Sequence, residues 1–326
     1  MIKNFWTGKR VLVTGGTGFI GSFVCELLLE KGAKVTTTSF SGDLSKIKHL
    51  RKDLKAMKSD LREYKQAEEV IKNKDIVLNL ASKVAGIQFN INHPATMFSD
   101  NVLIAQNVIS ASHKQNVERL LMVSSACVYP RFAKVPTPES EGFLDDPEPT
   151  NLGYGWSKRT TELLSRFYMQ EHKMKIALAR PYNAYGPRDN FNPAVSHVIP
   201  GLIKRVLEGE NPLNVWGSGN QSRSFIYARD LARGLLLLTE KYAVCDPVNI
   251  SSDEEIKIKD LAQLVIRLSG KKTKIVLDKS KPDGQLRRKS DTRKAKKEIG
   301  FETKTKLSDG LLETIEWYKN QLKNQK

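Results

Sequence analysis

Cysteine, acidic residues and long apolar runs are all scarce in this chain, and each scarcity removes a class of protein. Three cysteines in 326 residues, Cys25, Cys127 and Cys245, are too few and too scattered for a disulfide framework, and none is paired at zinc-site spacing. No stretch approaches the roughly 18 consecutive apolar residues that span a bilayer, and Met1 to Trp6 leads into a strand with no apolar leader, so a cytoplasmic location is expected. Asp and Glu number 36 against 53 Lys and Arg, a net charge of +17, which calls for an anionic partner. The excess is spread over Lys46 to Lys58, Lys271 to Lys274 and Arg287 to Lys297 without interleaved aromatics. Most of it reads as solvated surface, with no nucleic-acid partner and no membrane partner expected.

A chain that is 40% hydrophobic, without low-complexity or solenoid repeats, can bury a full core. Arg10 to Thr14 reads as a buried strand, and Ile20, Phe23, Val24, Leu27 and Leu28 follow at helical spacing. Strands are predicted at Lys34 to Ser39, Asp75 to Leu80, Arg119 to Val123 and Lys175 to Ala179, with helices near Asn101 to His113 and Gly153 to His172. This alternation predicts an α/β fold, a doubly wound parallel sheet of Rossmann type. Beyond Pro181 the texture changes to Pro, Gly, Asn and Asp clusters around helices at 197–208 and 259–269. Residues 1–180, joined by about 224–250, are expected to bind a dinucleotide. Residues 181–223 and 251–326 are expected to form a smaller, interleaved substrate domain.

Gly15, Gly18 and Gly21 stand between the first strand and its helix at Gly-x-x-Gly-x-x-Gly spacing. There the chain must turn tightly, approach a pyrophosphate and pack the helix on the sheet. Phe19 and Ile20 open that helix. Ser39 ends the second strand, where an acidic residue would select NAD, and Lys46 and Lys48 are within reach of a 2′-phosphate. Asp60 is a candidate adenine contact. NAD or NADP is the expected cofactor, with NAD placed first. No metal site is expected.

Tyr154 and Lys158, four residues apart, share one helix face, so the ammonium can lower the phenol's pKa and let it exchange a proton with a sugar hydroxyl. Ser125 follows the strand that ends at Val123, on the ligand-binding edge of such a sheet. Cys25, on the apolar side of the first helix, reads as core.

The glycine motif, the strand-end serine and Tyr-x-x-x-Lys have the order and spacing of the extended short-chain dehydrogenases/reductases that act on nucleotide sugars, and the chain resembles them over nearly its whole length. Further markers are Asn79-Leu80-Ala81, Asn101, Arg180 to Pro187, Arg223 to Tyr227 and Asp230-Leu231-Ala232. The resemblance implies cofactor contacts at Gly15, Gly18, Phe19, Ile20, Gly21, Ser39, Asp60, Leu61, Leu80, Ala81, Tyr154 and Lys158. It implies catalytic roles for Ser125, Tyr154 and Lys158, and binding of a nucleotide-diphosphate sugar by Asn183, Arg223 and Arg287. A homodimer is also expected.

Within the family, Ser125-Ala126-Cys127-Val128-Tyr129-Pro130 is similar to GDP-fucose synthase and GDP-mannose 3,5-epimerase, where the cysteine transfers protons. Ser196-His197-Val198-Ile199-Pro200 has the synthase form, as do Arg188 to Phe191, Asp145 to Asn151 and Lys281-Pro282-Asp283-Gly284. Tyr154-Gly155-Trp156 and Ser222 to Phe225 lean toward the mannose epimerase, and Thr17 replaces a synthase arginine. A ketone at C4 acidifies the hydrogens at C3 and C5, which gives Cys127 and His197 work as acid and base. The expected reaction is NAD(P)-dependent modification of a nucleotide sugar, GDP-linked in first expectation, through a 4-keto intermediate. It includes epimerisation at C3, C5 or both, with oxidation or reduction at C4. The alternatives are a C4 epimerase or dehydrogenase holding NAD tightly, and a non-catalytic binding protein that has kept the fold.

Overall fold

The computed structural model describes residues 4–193, 195–281 and 284–324. Strand β1 (Arg10–Thr14) carries Val11, Leu12 and Val13 in succession, all fully buried, as a strand covered on both faces requires. Helix α1 (Phe19–Glu30) buries Phe23, Val24, Leu27 and Leu28 against it, each contributing about 1.5–3 kcal/mol. Then come β2 (Lys34–Ser39), β3 (Lys55–Lys58), α2 (Tyr64–Ile71), β4 (Ile76–Asn79), α3 (Ile87–Asn92), α4 (Pro94–Lys114), β5 (Arg119–Val123), α5 (Leu152–His172) and β6 (Ile176–Pro181). Helix α4 starts earlier than its apolar pattern indicated. Pro94 occupies its first turn, where a fixed φ helps and no N–H is needed.

The second half contains β7 (Ala184–Tyr185), α6 (Val198–Leu207), β8 (Leu213–Trp216), β9 (Ser222–Ser224), β10 (Ile226–Tyr227), α7 (Ala228–Lys241) and β11 (Pro247–Ile250). It ends with β12 (Glu255–Lys257), α8 (Ile258–Ser269), β13 (Ile275–Asp278), β14 (Arg287–Arg288), α9 (Arg293–Ile299) and α10 (Leu307–Lys323).

Seven strands form one sheet in the order β3-β2-β1-β4-β5-β6-β11, every pair parallel. The sheet is doubly wound, as the alternation of strands and helices required. Residues of α1 and α7 cover one face, and those of α2 and α4 the other. Strand order reverses between β1 and β4, and ligands of such sheets bind outside that crevice, at the carboxyl ends. A third apolar core joins α6, α8 and α10 through Ile199, Leu202, Leu261, Val265, Leu311 and Ile315. Among the described residues no helix is long and apolar enough to cross a membrane.

Candidate functional site

The turn after β1 shows why its glycines are needed. Gly15 has φ +66°, and a side chain there would press on the Ala81 backbone at 3.0 Å. A Cβ on Gly21 would meet the Gly15 carbonyl at 2.3 Å, so this glycine lets α1 pack onto the turn. Gly18 precedes Phe19 and Ile20 as the N-cap of α1, with no side chain capping the helix and no acidic residue in its first turn. These helix-end N–H groups and the stripped loop fit a pyrophosphate. Gly16, to which the sequence reading gave no role, is fixed by packing: its Cβ would meet Thr37 Oγ1 at 2.1 Å and Cys25 Sγ at 2.8 Å. Cys25 itself is fully buried, its thiol pushed up to about 12 by burial. It belongs to the core.

Thr14 closes the crevice floor, its hydroxyl donating to Asn79 Oδ1 at 2.6 Å and accepting from the Ala81 N–H at 3.1 Å. That places Leu80 and Ala81 directly across from the glycine turn. At the end of β2, the Ser39 hydroxyl accepts from the Gly42 N–H at 3.0 Å and so shapes its own loop. Asp60 is held by Arg62, whose guanidinium keeps its carboxyl below the usual range, and Leu61 is fixed by Asn107 Nδ2 on its carbonyl at 3.0 Å. Lys46, expected within reach of a 2′-phosphate, instead sets its ammonium on the Arg188 carbonyl at 2.6 Å. Lys48 lies exposed in the 3-10 turn of residues 45–50.

Tyr154 and Lys158 lie on one face of α5, the ammonium 5.4 Å from the centre of the phenol ring. The expected electrostatic help is not what this geometry gives. Lys158 Nζ donates to the Val123 carbonyl at 3.0 Å, and burial brings the ammonium down to about 8. Burial likewise pushes the Tyr154 phenol up, with Cys127 adding to the rise and the Ser82 and Ser125 hydroxyls opposing it. Ser125 is therefore where the sequence put it, beside the phenol. Ser82 was missed, although it directly follows the Asn79-Leu80-Ala81 marker. Asn101 holds it, accepting its hydroxyl at 2.7 Å.

Cys127 sits in a short 3-10 turn whose N-cap is Ser125, with its N–H on Ser125 Oγ at 3.1 Å. Arg159, the residue after Lys158, fixes that turn by donating twice to the Val128 carbonyl, at 2.7 and 3.0 Å. The thiol lines a cleft with Tyr129, Thr137, Asn151, Tyr182, Arg287 and Arg288. Of the two arginines, Arg288 approaches it, Nη2 to Sγ 4.0 Å, whereas Arg287 forms a bidentate pair with Glu255 at 2.8 Å. Successive strand residues point to opposite sides, so β14 turns one arginine toward the thiol and the other toward Glu255. The sequence reading assigned Arg287 to the substrate diphosphate, and Arg287 lines the cleft as well; the orientation of Arg288 on this two-residue strand is invisible without the sheet. Pro282 and Asp283 of the preceding motif lie outside the described residues.

Arg223 forms no ion pair among the described residues. Its guanidinium donates to the Ser222 and Gln285 carbonyls, both at 2.7 Å, and burial with neighbouring Arg288 brings it down to about 10. Half-buried positive charge with no carboxylate beside it is poised for an anion. Asn183 spends its Nδ2 on the Ser224 carbonyl at 3.0 Å, tying the turn after β6 to β9. His197 is the exposed N-cap of α6, its Nδ1 4.0 Å from Asp189 Oδ1. Among the described residues no group of three or more His, Cys, Asp or Glu could hold a metal ion.

A strand–glycine–helix cradle, a Ser-Tyr-Lys set at the carboxyl edge and a cationic cleft beside them place the chemistry at one end of the sheet. The NAD dependent epimerase/dehydratase family matches residues 11–251. The chain belongs to that family. It is similar to "Probable GDP-L-fucose synthase 1" of Oryza sativa subsp. japonica, 35% identical over 319 residues that cover 95% of this chain and 92% of the relative. Among solved structures it resembles a GDP-L-fucose synthetase from Naegleria fowleri bound to NADP, at 25% identity and TM-score 0.82, covering 97% and 96% of the two chains. It also resembles a UDP-glucose 4-epimerase from Thermotoga maritima with UDP-glucose, at 26% identity and TM-score 0.85, covering 96% and 99%. Family membership makes this an NAD(P)-dependent enzyme of nucleotide-sugar modification, and the reading as a non-catalytic binding protein falls.

Proposed function

We propose that the enzyme inverts C3, C5 or both in a GDP-linked 4-keto hexose and then reduces the ketone at C4. Residues 1–180 with 224–250 would hold the dinucleotide, and 181–223 with 251–326 the sugar nucleotide. The observation that carries this reading is the Cys127 thiol, in the same cleft as Arg288 and on the 3-10 turn that Ser125 caps. The GDP-L-fucose synthase relative supports a GDP-linked substrate. NAD(P)H supplies the hydride when bound. Ser39, a hydroxyl at the end of β2 in place of a carboxylate, leaves that strand end open to NADP as well as NAD.

The protein's own groups divide the remaining work. Arg223 and Arg288 hold the diphosphate, a guanidinium fork suiting phosphate oxygens. Cys127 and His197 move protons at the carbons beside the ketone. Tyr154 gives its proton to O4, with Ser125 and Ser82 on its hydroxyl and Lys158 beside its ring. The exposed apolar side chains Leu103 on α4 and Phe167 on α5, two helices packed on each other, support a homodimer through that face.

Incubation with a 4-keto GDP-hexose in heavy water tests the reading, because an enolate is reprotonated from exchangeable groups. Deuterium is expected at C3, C5 or both. Cys127→Ser and His197→Asn suppress it by about a hundredfold or more, at one carbon each if the two groups divide the sites. Tyr154→Phe does the converse, keeping the label while C4 reduction is lost. Wild-type enzyme that transfers hydride but incorporates no deuterium would replace this reading with chemistry confined to C4.

A further inference from the structure

The segment between β7 and α6 is pinned from two sides. Arg188, in a left-handed conformation at φ +70° that is uncommon for a side-chain-bearing residue, stacks its guanidinium 3.8 Å over Phe23 and pairs with Glu26, both on α1. Three residues on, Phe191 stacks on Tyr318 of α10, with ring centres 4.2 Å apart. Asp189 lies between these anchors and is thereby turned inward, its side chain 3% exposed. One oxygen accepts the Asn190 N–H at 2.7 Å, while Oδ2 is buried without a hydrogen-bond partner among the described residues. A buried carboxylate short of donors is costly, and a group able to supply one is the His197 imidazole, 66% exposed, with its Nδ1 4.0 Å from Oδ1.

We propose that Asp189 is a positioning residue for His197: its carboxylate accepts the Nδ1–H of the imidazole, so that Nε2 is the nitrogen presented to the sugar. The inference rests on the reading of His197 as a proton-transfer group. The bond forms when the 4.0 Å between Nδ1 and the carboxylate closes to hydrogen-bond distance. With Nδ1–H fixed, the neutral ring has its lone pair on Nε2, the form a base requires. The carbon–hydrogen bond then breaks, its electron pair passes into the enolate, and the proton goes to Nε2. Nδ1 keeps its own proton throughout, and the carboxylate neither gains nor loses one. Besides His197, the charged group facing Asp189 is the Lys46 ammonium. Burial pushes the Asp189 carboxyl upward; His197, the Asn190 N–H and Lys46 hold it down, in favour of the ionised acceptor.

The tautomer of His197 can be read directly. The chain has 5 histidines, so full-length protein with 15N-labelled histidine gives a short spectrum, and the His197 signals are those lost in His197→Asn. In wild type the neutral ring should carry its proton on Nδ1. In Asp189→Asn, whose amide can turn its own N–H toward the ring, and in Asp189→Ala, the proton should move to Nε2. Deuterium incorporation should fall at least tenfold in both variants, by less than in His197→Asn. Using two variants guards against one that does not fold. An unchanged tautomer in a folded variant, with labelling still lost in His197→Asn, overturns the Asp189 role and leaves the proposed reaction standing. Full labelling at both carbons in His197→Asn overturns both.

Discussion

At the residue scale, the site contains charges held where water would solvate them better, and Lys158 is the clearest case. Its folded pKa of about 8 lies below the roughly 10.4 of a free lysine, so between those values the unfolded chain binds more protons than the folded one. Stability conferred at this position therefore rises with pH across that window, and at pH 7 the protonated, buried ammonium is a net cost. Lys158→Met, which keeps the aliphatic stem, should be more stable than wild type by roughly 2 kcal/mol at pH 7, a difference that shrinks toward pH 10. Urea titrations at the two pH values measure it. A variant equally stable at pH 7 would mean that the Val123 carbonyl fully compensates the charge. Activity should be lost regardless, since stability is given up here for function.

At the element scale, the carboxyl ends of β5 and β6 are tied to α5 by one buried network. Glu162 on α5 accepts from Arg180 of β6 at 2.8 and 2.7 Å and from the Ser124 hydroxyl at 2.6 Å, with Glu162 and Arg180 almost fully buried. Arg180 also donates to the Tyr129 hydroxyl at 3.1 Å, which in turn bonds Asn249 of β11 at 2.5 Å. The network therefore sets where Ser125, Cys127 and Lys158 stand relative to one another. Removing one partner of a buried pair strands the other charge, so Glu162→Gln should cost on the order of 3 kcal/mol. Thermal or denaturant unfolding reads the loss. A double change of Glu162 and Arg180 to apolar residues should cost less than Glu162→Gln, because no charge is left stranded.

At the scale of the whole molecule, the long helices α4 and α5 pack along each other and leave Leu103 of α4 46% and Phe167 of α5 57% exposed. Apolar side chains left in water at such a position are those a second copy would cover. Phe167→Glu should convert a dimer to a monomer in sedimentation velocity without altering the fold's circular dichroism. A wild-type chain that sediments as a monomer at micromolar concentration would remove the dimer proposal.

The sequence by itself determined the parallel sheet, the glycine turn and the shared helix face of Tyr154 and Lys158, because each rests on local periodicity or on spacing within one element. Val11 to Val13, Gly15 to Gly21 and Tyr154 to Lys158 needed no distant partner to be legible. Only the tertiary structure decided what pairs across long separations. It gave Lys46 to the Arg188 carbonyl, aimed Arg288 rather than Arg287 at Cys127, brought Ser82 to Tyr154 and set Asp189 beside His197. It also turned the expected lowering of the Tyr154 phenol into a rise, because desolvation depends on everything packed around a group and a spacing of four residues carries no record of that.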